Sequence, residues 1–91
     1  MSAEPTSTGG LDERSRRILD FERTWWTRAK PKERAIREQL GLSPARYHQL
    51  LNGLIDRPDA LAYDPMLVRR LRRLREHRRR KRYARRLGIE L

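Results

Sequence analysis

Two stretches of this 91-residue chain hold side chains whose types and spacing point to chemistry. The first is SPARYHQLLN, residues 43–52. With Tyr47 and Leu50 turned inward on a helix, Ser43, Arg46, His48, Gln49 and Asn52 face outward. Arg, Gln and Asn are the side chains that pair with guanine or adenine edges in a DNA major groove, and a serine hydroxyl suits phosphate. Arg46, His48, Gln49 and Asn52 are therefore candidate base contacts. Ser43 and Arg37 are candidate phosphate contacts.

The second stretch runs from Arg69 to Arg86, where eleven Arg and one Lys stand against a single acid, Glu76. Outside it, 11 cations face 11 carboxylates, so the whole net charge of +11 sits in one segment. A solvated helix face normally mixes signs, with acid–base pairs three or four residues apart. A block this one-sided repels itself and calls for external anions, and phosphate matches the rigid donor fork of arginine. Arg69, Arg72, Arg73, Arg78, Arg79, Arg80, Lys81, Arg82, Arg85 and Arg86 are candidate phosphate contacts. A membrane surface is disfavoured because Tyr83 and Leu87 are the apolar groups available for insertion toward the far end.

Other chemistries find no foothold in the sequence. The chain has no cysteine, which removes disulfides, thiolate metal sites and cysteine nucleophiles. His48 and His77 lack metal-binding spacing, and the Gly9-Gly10 pair is not a phosphate loop. No catalytic residue, metal or cofactor is expected, and the protein is not expected to be an enzyme. No apolar run approaches the ~18–20 residues of a membrane span, and residues 1–4 lack the basic-then-apolar order of a signal peptide. The expected location is cytoplasmic.

The elements that must position these residues follow from periodicity and caps. With 36% hydrophobic residues, abundant helix formers and no alternating β-branched runs, the chain reads as all-α. We expect four helices, comprising a helix-turn-helix and a long basic C-terminal helix. Residues 1–10 form a disordered tail, 11–75 the globular domain, and 76–91 the Arg-rich extension.

The first helix is expected from Asp12, as N-cap, to about Arg28. It places Leu11, Ile18, Leu19, Phe21, Trp25 and Trp26 within an arc of about 160°. The two tryptophans read as core. Glu22 also falls inside that arc, so an arginine partner is expected, either Arg46 or Arg37. A second helix starts at Pro31 and stops at Gly41. Ser43-Pro44 opens the third, which ends near Ile55 at the breaker Asp56-Arg57-Pro58-Asp59, with an irregular turn over residues 60–63. Ile36, Leu40, Leu42, Tyr47 and Leu50 would form the face shared by helices two and three. Asp64-Pro65 opens a fourth helix, docked by Leu67, Val68, Leu71 and Leu74, that runs to about Arg86 with Gly88 beyond it. The stripe meets Arg78 after Leu74, so no leucine zipper forms and a monomer is expected rather than an obligate dimer.

Three blocks, ILDFERTWW (18–26), LGLSPARYHQLLNGLIDRP (40–58) and ALAYDPMLVRRLRRLR (60–75), resemble a family of small actinobacterial helix-turn-helix proteins with nucleoid-associated DNA-binding members. The resemblance spans roughly residues 11–86. The helix-turn-helix part is also similar to the promoter-reading domain of sigma factors, with Arg37 standing where a small residue is usual. What the resemblance implies is chromosome-wide binding to double-stranded DNA in the nucleoid. Groove contact would come from the 43–52 surface and backbone contact from the Arg-rich end. A site-specific regulator, an RNA polymerase-interacting transcription modulator and an RNA-binding protein are the alternatives.

Overall fold

A computed structural model describes residues 10–27 and 29–88. The expected disordered tail therefore lies outside the described residues except for Gly10, as do Arg28 and residues 89–91 of the C-terminal extension. The described residues form five helices and no strand: α1 (Glu13–Thr24), α2 (Lys32–Ala35), α3 (Pro44–Leu54), α4 (Pro58–Tyr63) and α5 (Pro65–Leu87). The all-α class expected from the sequence is what the chain adopts, with one helix more than the four expected.

Most helix ends sit where the caps place them. Asp12 accepts the Ser15 N–H at 3.2 Å and opens α1. Ser43 accepts the Arg46 N–H at 3.1 Å with Pro44 in the first turn of α3. Asp64 accepts the Leu67 N–H at 3.4 Å and opens α5, which closes on Gly88 at φ 77°. The element after Pro31 starts as α2 and widens into a π turn over Ile36–Leu40. Gly41, at φ 68°, then turns the chain left-handed, a conformation that glycine adopts without steric cost.

The extra helix is α4, where an irregular turn was expected. Arg57 is extended (φ −87°, ψ 137°), as a residue before proline prefers, and Pro58 supplies a preset helical φ at the first position. Pro58 thus starts a helix as well as ending the previous one. Ala60, fully buried, packs it onto the body.

One core unites all five helices. Leu11, Ile18, Leu19 and Phe21 from the α1 region meet Ala35 and Ile36, then Tyr47, Leu51, Leu54 and Ile55, then Ala60, and finally Leu67, Val68 and Leu71. The face expected between the second and third helices exists: Ile36 and Tyr47 are fully buried, and Leu40, Leu42 and Leu50 pack partly buried against them.

Two expected core residues lie elsewhere. Trp26 is 67% exposed. The α period stops at Thr24 and a 3₁₀ turn over Trp25–Thr27 rotates the ring outward, where its indole N–H donates to the Arg23 carbonyl at 2.9 Å. Trp25 is half-buried against the core. Leu74 is 45% exposed because the inward direction of α5, set by Leu67, Val68 and Leu71, leaves it at the edge.

Candidate nucleic-acid interface

The geometry of the site follows from how α3 and α5 are joined. Arg75 forks onto Asp56 just past α3, with Nη2–Oδ1 at 2.6 Å and Nη1–Oδ2 at 3.2 Å. The same Nη1 donates to the Asn52 side-chain oxygen at 3.0 Å. One turn earlier, Arg72 Nε donates to the Ile55 carbonyl at 2.6 Å, satisfying an acceptor that the end of α3 leaves without a helical partner. The Arg75 guanidinium beside Asp56 holds that carboxyl below the usual carboxylate range, first through the hydrogen bond and then through its charge. These ties hold α5 to the C-terminal end of α3, and His48, Gln49, Asn52, Arg75 and Arg78 line the groove between the two helices.

The five polar residues of the α3 stretch, Ser43, Arg46, His48, Gln49 and Asn52, are all exposed. They do not form a uniform row. Arg46 Nη1 donates to the Gln49 side-chain oxygen at 2.9 Å, so these two act as a pair on the outward side. His48 and Asn52 turn toward α5, and the His48 ring stands edge-on to Tyr47 at 5.2 Å. Both amide oxygens thus accept from arginines, and among the described residues neither amide NH₂ donates a hydrogen bond. The Ser43 hydroxyl oxygen accepts from the α3 backbone as N-cap, which leaves its O–H able to donate outward.

Arg37 is exposed on the π turn, and the small residue of that element is Ala35, buried one position before Ile36. Glu22 has neither Arg37 nor Arg46 as a partner. It pairs with Lys32 Nζ at 3.1 Å and accepts the Tyr47 hydroxyl. Lys32 in turn lies over the Trp25 and Tyr47 rings, at 4.8 and 5.6 Å from their centroids. The arginines expected there are exposed, and it is Lys32, at the start of α2, that reaches Glu22, a contact that helical periodicity does not encode.

The basic segment is continuous helix through Leu87. Arg69, Arg73, Arg78, Arg80, Lys81, Arg82, Arg85 and Arg86 are exposed, as is Arg79, which lies 3.6 Å from Glu76. Arg72 differs from the other phosphate candidates: it is half-buried and engaged with α3. Arg75 was not singled out from the sequence, yet it organises the interface. Its partner Asp56, in the break after α3, is 61% exposed, so nothing in the sequence required a cation beside it.

The described residues hold no group of three or more His, Asp or Glu able to bind a metal, and no helix long and apolar enough to cross a membrane. Fold and surface together define an all-α protein with a tight helix–glycine–helix corner and a projecting basic helix. The chain belongs to the family described as "Protein of unknown function (DUF3263)", whose model matches residues 10–83. No curated protein and no solved structure matches it.

Proposed function

We propose that this chain binds double-stranded DNA as a helix-turn-helix protein, inserting α3 into the major groove while α5 follows the phosphates. The observation that carries this reading is the juxtaposition of the exposed Arg46, His48, Gln49 and Asn52 surface with a basic helix clamped beside it by Arg75. The resemblance to helix-turn-helix proteins with nucleoid-associated members points the same way. A single recognition helix reads a short motif, so the protein would occupy many chromosomal sites, as a nucleoid component does. Arg37, Ser43 and the exposed α5 cations hold phosphate in this reading. Arg72 joins them through its Nη groups, since only its Nε serves the end of α3.

Base reading follows from the amide geometry. Adenine pairing by Asn or Gln uses both a donor and an acceptor, and the oxygens of Gln49 and Asn52, each accepting one bond from an arginine, keep a second lone pair for it. Their NH₂ groups match acceptors such as adenine N7, guanine O6 and N7 or thymine O4. The test begins by selecting the preferred duplex from a random pool. On that duplex Gln49→Ala weakens binding by about 1–3 kcal/mol while random DNA is bound as before. Replacing guanine by 7-deazaguanine in the selected site lowers affinity as well. Equal losses on both DNAs would mean that α3 touches backbone alone, and the groove assignment would fall.

A further inference from the structure

The arginines of α5 do not all face the same way. At about 100° per residue, the docked residues Leu67, Val68 and Leu71 set the inward direction of the helix, toward the side on which α3 lies. Continuing outward, Arg78, Arg82 and Arg85 stay within roughly 50° of that direction, with Arg79 and Arg86 at its shoulder. Arg69, Arg73 and Arg80 fall within about 30° of the opposite direction. All three are exposed, and among the described residues none of them makes a hydrogen bond or ion pair. Glu76 shares that side and lies 3.6 Å from Arg79. The fold thus gives Arg75 on the inner side of α5 and Arg72 on its flank to its own body, and leaves a separate set pointing away from it.

One duplex does not reach both sets. Helix α5 is tied to the C-terminal end of α3 by Arg72 and Arg75, and each helix is about 10–12 Å across with its side chains, whereas the major groove is about 12 Å wide. With α3 in the groove, α5 lies outside it over the backbone, its inner cations on that duplex and its outer ones turned to solvent. Arg69 to Arg80 spans about 16 Å along the helix axis, a length over which a duplex carries on the order of ten phosphates. Resting on the DNA-binding reading above, we propose that the Arg69–Arg73–Arg80 face binds the backbone of a second duplex, so that one protein molecule bridges two DNA segments.

The test uses full-length protein, one duplex immobilised on beads and a second, labelled duplex in solution, with single-duplex affinity measured in parallel across a salt series. Wild-type protein recovers the labelled duplex, and recovery falls again at excess protein, where each duplex is saturated separately. The triple variant Arg69→Gln, Arg73→Gln, Arg80→Gln loses bridging by at least about fivefold, yet its slope of log affinity against log salt on a single duplex changes by less than about one unit. The variant Arg78→Gln, Arg82→Gln, Arg85→Gln makes that slope shallower by about 2–3 units and bridges poorly as well. Failure of wild-type protein to recover labelled DNA while it binds single duplexes overturns bridging and leaves DNA binding intact. Absence of single-duplex binding overturns the DNA reading itself. Parallel loss of both activities in the outer variant shows one duplex wrapping α5, and bridging confined to a sedimenting protein dimer assigns it to self-association; either result overturns the proposal.

Discussion

Glu22 sits on the inner half of α1 with its side chain 11% exposed and two donors on its carboxylate, Lys32 and the Tyr47 hydroxyl. Burial first, and the bond to Glu22 second, push the Tyr47 ionisation well above its ordinary value, so the phenol keeps its proton at any physiological pH. Glu22→Ala leaves a mostly buried ammonium and a buried hydroxyl without their acceptor, and the expected cost is about 1–3 kcal/mol in an unfolding titration. Glu22→Gln keeps an acceptor for Tyr47 and loses less. A Glu22→Ala midpoint equal to wild type would show that the trio is not coupled. At this scale the sequence revealed which side of a helix a residue occupies, but not its partner. The inner position of Glu22 was legible from the α1 period. Lys32 was not, because a 3₁₀ turn over Trp25–Thr27 lies between it and Glu22, and such a turn leaves no mark in the spacing of apolar residues.

At the scale of elements, the helix ends were largely legible because each is specified locally. Asp12, Ser43-Pro44, Asp64-Pro65, Gly41 and Gly88 act within a turn of where they stand. The relation of α5 to α3 was not legible, because it rests on contacts between residues 17 to 23 positions apart. The clamp has a pH signature whose sign is fixed by Asp56. Its folded carboxyl titrates below the ordinary value, so the contribution of the Arg75 pair is fully present above the usual carboxylate range and is lost as pH falls through the lower folded value. The unfolding midpoint of Asp56→Asn should therefore lie below that of wild type at neutral pH, with the gap closing in the acid range beneath about pH 4. A gap that persisted unchanged at pH 2.5 would mean that Asp56 acts through packing or backbone geometry, not through its charge.

For the whole molecule, the net charge of +11 is carried by a helix whose apolar docking ends at Leu71 and whose last tie to the body is Arg75. A cut after Glu76 keeps the core and the clamp and removes Arg78, Arg79, Arg80, Lys81, Arg82, Arg85 and Arg86, so the truncated protein should fold with the wild-type helices up to that point. Its DNA affinity should respond less to salt. Each neutralised phosphate adds about −0.9 to the slope of log affinity against log salt, and three to five inward cations on the bound duplex make the wild-type slope steeper by roughly 3–4 units than that of the truncated form. Arginine near a helix C-terminus is favoured by the helix dipole, but that term is only ~0.3–1 kcal/mol and does not offset seven like charges. In free protein at low salt the segment beyond Glu76 should therefore lose helicity, and duplex DNA should restore it, an increase readable by circular dichroism in full-length but not truncated protein. The two measurements constrain each other: a shallower slope with no gain of helicity places the cations on DNA as an unstructured tail. An unchanged slope would mean that they face an anionic partner other than DNA, and RNA polymerase would then be the first protein to test.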